Sequence, residues 1–167
     1  MSRKLLNAVR EAVRVVKDKW EKIAPEDYGE LEERLKAVVV MRKSGRMYLK
    51  VAGIPLASAV GVFGSGAPFD YMVEVGDRRI ALEPKSGVVV GRTGDEYRTT
   101  QYFTPNIVGS KMIVGRGSSP AVSRVQGVFY ATTEGLLVFL DTGRNKTEIV
   151  SEGSSVVTKR GLERLLE

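Results

Sequence analysis

Three features of this 167-residue chain predict an α/β or α+β fold, with a mixed central β-sheet flanked by helices. An amphipathic helical pattern opens the chain. Short β-branched runs punctuated by glycine turns follow it. A second helical pattern then leads into an unbroken apolar run suited to a buried strand. Composition agrees: 43% hydrophobic with 28% charged residues is a globular profile, and the length suits one domain, 1–167, with a real core.

Ser2 can cap a helix running to about Ile23. Leu5, Leu6, Val9, Val13, Val16 and Trp20 recur at three- and four-residue spacing and form one stripe. The other faces carry Arg3, Lys4, Arg10, Arg14, Lys17, Lys19 and Lys22. They are either a phosphate- or membrane-binding surface or the solvated side of a helix docked on a sheet, and Glu11 and Asp18 offset part of their charge. Ala24-Pro25 breaks this helix. A second helix is expected at 29–37, with Leu31 and Leu35 inward and Glu30, Glu32 and Glu33 along it, so that 1–37 is a helical region.

The sheet core is expected at 38–157. Val38–Met41 reads as a strand, Ser44-Gly45 as a turn and Met47–Val51 as the returning strand, with Arg42, Lys43, Arg46 and Lys50 around the tip. Residues 52–63 are small and apolar, made for close packing. Gly76-Asp77 separates two alternating runs, the signal for a two-residue hairpin. That loop sets Val75 opposite Arg78, Glu74 opposite Arg79 and Asp70 opposite Glu83. One face, largely apolar, is then Tyr71, Val73 and Val75 against Leu82, Ile80 and Arg78; the other carries Asp70, Glu83 and Lys85.

Val88–Val90 extends the strand pattern. Residues 91–119 turn glycine-rich and polar, with Arg92, Arg98, Lys111 and Arg116 interleaved with Tyr97, Tyr102 and Phe103. Such a loop either stacks unpaired bases and tracks their backbone or is anchored on the core. Ser119 and Pro120 are a good helix start, and the spacing of Val122, Val125 and Phe129 predicts a helix over about 119–133. Leu136–Leu140 reads as a strand buried on both faces, Asp141–Arg144 as a turn, Thr147–Val150 as the return, and 158–166 as a closing helix.

Cys and His are absent, which excludes disulfides, thiolate nucleophiles, the usual zinc ligands and a histidine base. Catalysis would have to use carboxylates, Lys, Tyr, Ser or an oxygen-held metal. No apolar run approaches ~20 residues, so no bilayer span is expected. Without a signal-peptide pattern the expected location is cytoplasmic. Scarce Asn and Gln beside plentiful Val, Arg, Lys and Glu suit a thermophile. A net charge of +6 and a pI near 9.6 point to a nucleic-acid partner rather than a membrane.

Directly opposed carboxylates, about 5 Å apart at Cβ, destabilise a sheet. A hard cation such as Mg²⁺ reverses that, since it binds through one or two carboxylates and retains waters. A lysine beside it can orient the attacking water or stabilise charge on a phosphate. The alternative is a solvated face with the two acids splayed.

Gly64-Ser65-Gly66, Pro68-Phe69-Asp70 and Ile80-Ala81-Leu82-Glu83-Pro84-Lys85-Ser86 together resemble the PD-(D/E)xK nuclease signature, most closely as it stands in archaeal Holliday junction resolvases. The resemblance covers residues 64–87. Phe69 is inserted before the acid, and proline occupies the x. It implies a restriction-endonuclease-like core in which Asp70 and Glu83 hold Mg²⁺ or Mn²⁺, Lys85 assists the water and Ser65 lies near the scissile phosphate. One acid of the helical region, Glu33 ahead of Glu30 and Glu32, or else Glu11, would complete the site, and the family's habit implies a homodimer. The expected function is a metal-dependent endonuclease acting on DNA, branched DNA included. Arg42, Lys43, Arg46, Arg92, Arg98, Lys111 and Arg116 would grip the backbone. The rival expectation is a non-enzymatic nucleic-acid-binding protein, single-stranded or structural, using the basic and aromatic surface.

Overall fold

The computed structural model describes residues 3–23, 35, 37–41, 45–62, 66, 69–76, 78–91, 102–103, 121–123, 125–152 and 156–157. The opening helix, α1 (Arg3–Ile23), forms where its periodicity places it. Eleven strands follow: β1 (Ala37–Met41), β2 (Arg46–Val51), β3 (Ile54–Gly61), β4 (Tyr71–Val75), β5 (Arg78–Leu82), β6 (Gly87–Val90), β7 (Tyr102–Phe103), β8 (Gly127–Ala131), β9 (Leu137–Asp141), β10 (Thr147–Glu152) and β11 (Val156–Val157). They build two sheets, one of order β11-β1-β9-β8-β6-β7 and one of order β10-β2-β3-β4-β5.

Every pairing among the described residues is antiparallel. This corrects the expected single mixed sheet between helices. The described chain is α+β, mostly strand, with one helix.

Alternation along the six-stranded sheet explains the layering, since successive strand side chains point to opposite faces. Val128, Tyr130, Val138, Leu140 and Val89 join Leu5, Val9, Val16 and Trp20 of α1 in one apolar cluster. Phe129, Ala131, Leu137, Phe139, Val88 and Val90 join Met47, Leu49, Val51, Tyr71, Val73 and Leu82 of the five-stranded sheet in another. The six-stranded sheet is thus the middle layer, covered by α1 on one face and by the second sheet on the other. Its central strands β8 and β9 are buried at every position. Leu137–Leu140 lies in the strand buried on both faces that the apolar run predicted.

The helix expected at about 119–133 is corrected by β8. Val122, Val125 and Phe129 do sit at helical spacing, and that coincidence carried the helix reading. Gly127-Val128-Phe129-Tyr130-Ala131 is instead a β-branched and aromatic run whose alternate side chains fill the two apolar clusters on opposite faces, so every position is buried. The expected hairpin of residues 38–51 is corrected too: β1 pairs with β9 and β11, while β2 pairs with β3 and β10 in the other sheet. Of the helix expected at 29–37, residues 29–34 and 36 lie outside the described residues, and Ala37 opens a strand. The closing helix at 158–166 lies outside them entirely.

Among the described residues, two hairpins have two-residue loops. The Gly76-Asp77 loop joins Val75 to its partner Arg78, and Gly76 has φ +62°, as tight hairpin turns demand. Ala52-Gly53 joins Val51 to Ile54 with both loop residues at positive φ.

α1 is also fixed by a polar clasp. The Tyr130 hydroxyl donates to the Glu11 carboxylate at 2.7 Å, and the Thr133 amide donates to the same group at 3.0 Å. Burial, and then this bond to Glu11, holds the Tyr130 hydroxyl protonated well above its ordinary range.

Candidate functional site

The register between β4 and β5 is the one the two-residue loop requires, with Tyr71 opposite Leu82 and Glu74 opposite Arg79. Asp70 and Glu83 stand one step beyond the last pair, just outside the strands. The structure thus brings both acids to one end of the hairpin. Asp70 turns toward the β8–β9 turn: its Oδ2 lies 3.6 Å from where a Cβ on Gly135 would be. Beside it the Tyr71 hydroxyl donates to the Gly135 carbonyl at 2.7 Å. Burial, reinforced by the Asp70 charge, pushes that hydroxyl far above the usual tyrosine range.

Lys85 is where the strand reading needs correction. Glu83-Pro84-Lys85-Ser86 is a β-turn, with the Ser86 amide donating to the Glu83 carbonyl at 3.1 Å. Pro84 holds the second position and Lys85, at φ +67°, the third, the pattern of a type II turn. Proline has no N–H for a ladder, so the chain leaves one sheet here and enters the other. The Lys85 amide donates to the Ala131 carbonyl, and Ala131 donates back to Ser86. Lys85 is therefore not two residues along a common strand face from Glu83. Among the described residues no three acids gather as a metal-holding group.

Arg46 lies on the outer face of the five-stranded sheet. Its guanidinium donates to Glu74 at 3.0 Å, across the sheet and not at a hairpin tip. Ser65, Glu33, Arg42, Lys43, Arg92, Arg98, Lys111 and Arg116 lie outside the described residues.

A buried polar network lies where sequence reading placed a plain turn. Between β9 and β10 the chain crosses from the six-stranded to the five-stranded sheet through 142–146. This crossover is fastened to residues 121–126. Gln126 is fully buried. Its Nε2 reaches the Asn145 carbonyl at 2.9 Å, Thr147 Oγ1 at 3.0 Å and Asp141 Oδ1 at 3.5 Å, while its Oε1 accepts the Ser123 amide at 2.9 Å. Asp141, also buried, accepts the Gly143 amide at 3.2 Å and the Thr147 amide at 3.1 Å. Thr142 donates through its hydroxyl to the Val125 carbonyl. The Arg144 amide donates to Ser123 Oγ at 2.9 Å, and Asn145 Nδ2 to the Ala121 carbonyl at 2.8 Å. Gly143 lies so close to Gln126 that any Cβ would meet its side chain.

The outcome is a rigid crossover whose tip, Arg144-Asn145-Lys146, is exposed to solvent. Buried amides and carboxylates are costly unless their partners are met, and here they are spent on fixing main-chain carbonyls and amides of a surface loop. A signal for this was present in the sequence: Gln126 and Asp141 are polar residues at the ends of otherwise apolar runs, Val-Gln-Gly-Val-Phe-Tyr and Leu-Leu-Val-Phe-Leu-Asp.

No protein-family model, curated protein or solved structure matches the chain. Function has to be argued from these side chains. No helix among the described residues is long and apolar enough to cross a membrane.

Proposed function

We propose that this protein is a non-enzymatic recognition module that grips a phosphorylated segment of another protein through the fastened loop unit 121–126 and 141–147. One observation carries the reading: the fully buried Gln126, joined to Ser123, Asn145, Thr147 and Asp141, holds the exposed cations Arg144 and Lys146 on a preformed support. Loops presented by a rigid sandwich are where binding residues concentrate, and preorganisation removes the entropy that a mobile loop loses on binding. Arginine and lysine beside a hydroxyl suit a phosphate, with its three acceptor oxygens and about −1.5 to −2 charge. Two cations within three residues match one phosphate group rather than a tract of duplex, which asks for many phosphate contacts along an extended surface.

The test is fluorescence anisotropy with peptide pools carrying phosphoserine, phosphothreonine or phosphotyrosine, each beside its unphosphorylated twin. Phosphorylated pools are expected to bind at least about tenfold tighter, the equivalent of one charged hydrogen bond. Arg144→Glu with Lys146→Glu is expected to erase that difference. Equal binding of phosphorylated and plain peptides defeats the reading.

A metal-dependent endonuclease is the second reading, supported by the register that brings Asp70 and Glu83 to one hairpin end, with Lys85 in a left-handed conformation beside them. Such a backbone costs a non-glycine residue roughly 1–2 kcal/mol, and strain of this kind gathers at functional sites. Two carboxylates suffice for Mg²⁺ when waters fill the remaining positions. In this reading Asp70 and Glu83 would hold the metal that activates a water, and Lys85 would face the phosphate. Nicking of plasmid or branched DNA that needs Mg²⁺ or Mn²⁺, stops in EDTA and is lost in both Asp70→Asn and Glu83→Gln is the expected signature. Intact DNA after prolonged incubation with Mn²⁺ rejects it.

A further inference from the structure

We infer that the outward face of α1 is a separate docking surface for the phosphate backbone of a nucleic acid. At 3.6 residues per turn, positions 3, 10, 14 and 17 of this helix fall within about 60° of arc. Arg3, Arg10, Arg14 and Lys17 occupy them, all four are exposed, and Lys4 stands exposed at the flank. At a 1.5 Å rise the line is about 21 Å long, roughly the length of six phosphates on one strand at 3.4 Å per step.

Two structural facts sharpen what the sequence left open. The first concerns neutralisation. Glu11 offsets this charge on a helical projection, but its carboxylate is turned aside and engaged by the Tyr130 hydroxyl and the Thr133 amide. The carboxylate keeps its charge but is held at the flank of the line, toward β8; Asp18 is exposed at the line's edge, and Glu21 falls on its arc one turn beyond Lys17.

The second fact concerns the partner. A helix that lies on a lipid surface inserts its apolar side among the acyl chains. Here that side is committed: Leu5, Val9, Val16 and Trp20 are buried against the six-stranded sheet. Among the described side chains, what remains outward is mainly cationic, with no large apolar residue exposed. A linear polyanion matches it, and a bilayer does not. The loop unit around Gln126 is a different part of the molecule, so this inference does not depend on the phosphopeptide reading.

The experiment uses the full chain. Binding of labelled 20-nucleotide single-stranded and duplex DNA and RNA is followed across a salt series, with anionic phosphatidylserine vesicles at equal phosphate as the comparison. Binding of at least one nucleic acid should weaken linearly in log[salt]. Arg10→Gln with Arg14→Gln should flatten the slope by about 1.8 for duplex or about 1.4 for single strands, two contacts at 0.9 or 0.7 each, while far-ultraviolet dichroism and the melting midpoint stay unchanged. Arg144→Glu with Lys146→Glu should leave the slope alone, which separates the two surfaces. An unaltered slope in the α1 variant overturns the inference. So does tighter binding to vesicles than to every nucleic acid, or no binding to nucleic acid at low salt.

Discussion

Gly127→Ala is expected to lower the stability of the protein by about 3 kcal/mol, the upper end of what overpacking a core costs. A Cβ at Gly127 would overlap Phe139 Cζ and lie 2.5 Å from its Cε1 and 2.7 Å from the Leu140 carbonyl oxygen. Only the ring could yield, because the carbonyl belongs to the central strand β9. The ring has nowhere to go. Phe139 is fully buried between the two sheets, and its neighbour Phe129 packs with ring centroids 5.0 Å apart. β8 and β9 would have to part, and they form the centre of the middle layer. In a chain of this size the loss corresponds to a fall in melting midpoint of roughly 6–12 °C at 2–4 °C per kcal/mol. Gly53→Ala is the control: nothing lies within 4 Å of its Cβ, so only the backbone cost of its φ of +78° remains, about 1 kcal/mol. Urea midpoints for the two variants that fall in the reverse order would show that Gly127 is not the packing position described.

The same stretch shows where the sequence was readable and where it was not. α1 was legible because its stripe has one solution: six apolar residues at helical spacing with cations elsewhere. The β4–β5 hairpin was legible down to its register, since a Gly-X loop between alternating runs leaves no freedom. β8 was not. Val122, Val125 and Phe129 imitate a helical stripe, and only the presence of cover on both faces selects a strand. Nothing local announces that cover, which comes from α1 on one side and β2–β5 on the other. The two sheet-crossing turns were misread for the same reason. Glu83-Pro84-Lys85-Ser86 continues a strand on paper, and Asp141–Thr147 is an ordinary bend on paper. Each is fixed by hydrogen bonds to residues far along the chain, Ala131 for the first and Ser123 to Gln126 for the second. Candidate chemistry followed suit: the position of the acid pair was readable, but the fastened loop was not.

Asp141→Ala is expected to remove about 3 kcal/mol or more of stability and to abolish phosphate-dependent binding along with it. Its carboxylate accepts the Gly143 and Thr147 amides and approaches Gln126 Nε2, all three in a buried setting. Each donor left without an acceptor costs about 1–3 kcal/mol, and no water route is needed in the intact loop to satisfy them. Asp141→Asn does not rescue the site. Whichever way the amide is turned, its NH₂ faces a donor: Gly143 and Gln126 on one side, Thr147 on the other. The asparagine variant should therefore fall between wild type and alanine in stability, not beside wild type. Arg144→Glu with Lys146→Glu supplies the contrast. Those side chains are exposed at the tip, and replacing them leaves the buried Gln126–Asp141 network in place, so binding should be lost with the fold intact. The pairing of the two results is what matters. If the buried network existed only to join the sheets, Asp141→Ala held well below its melting midpoint would bind a phosphopeptide as wild type does. If the network exists to hold the tip, binding fails at temperatures where the dichroism is still native.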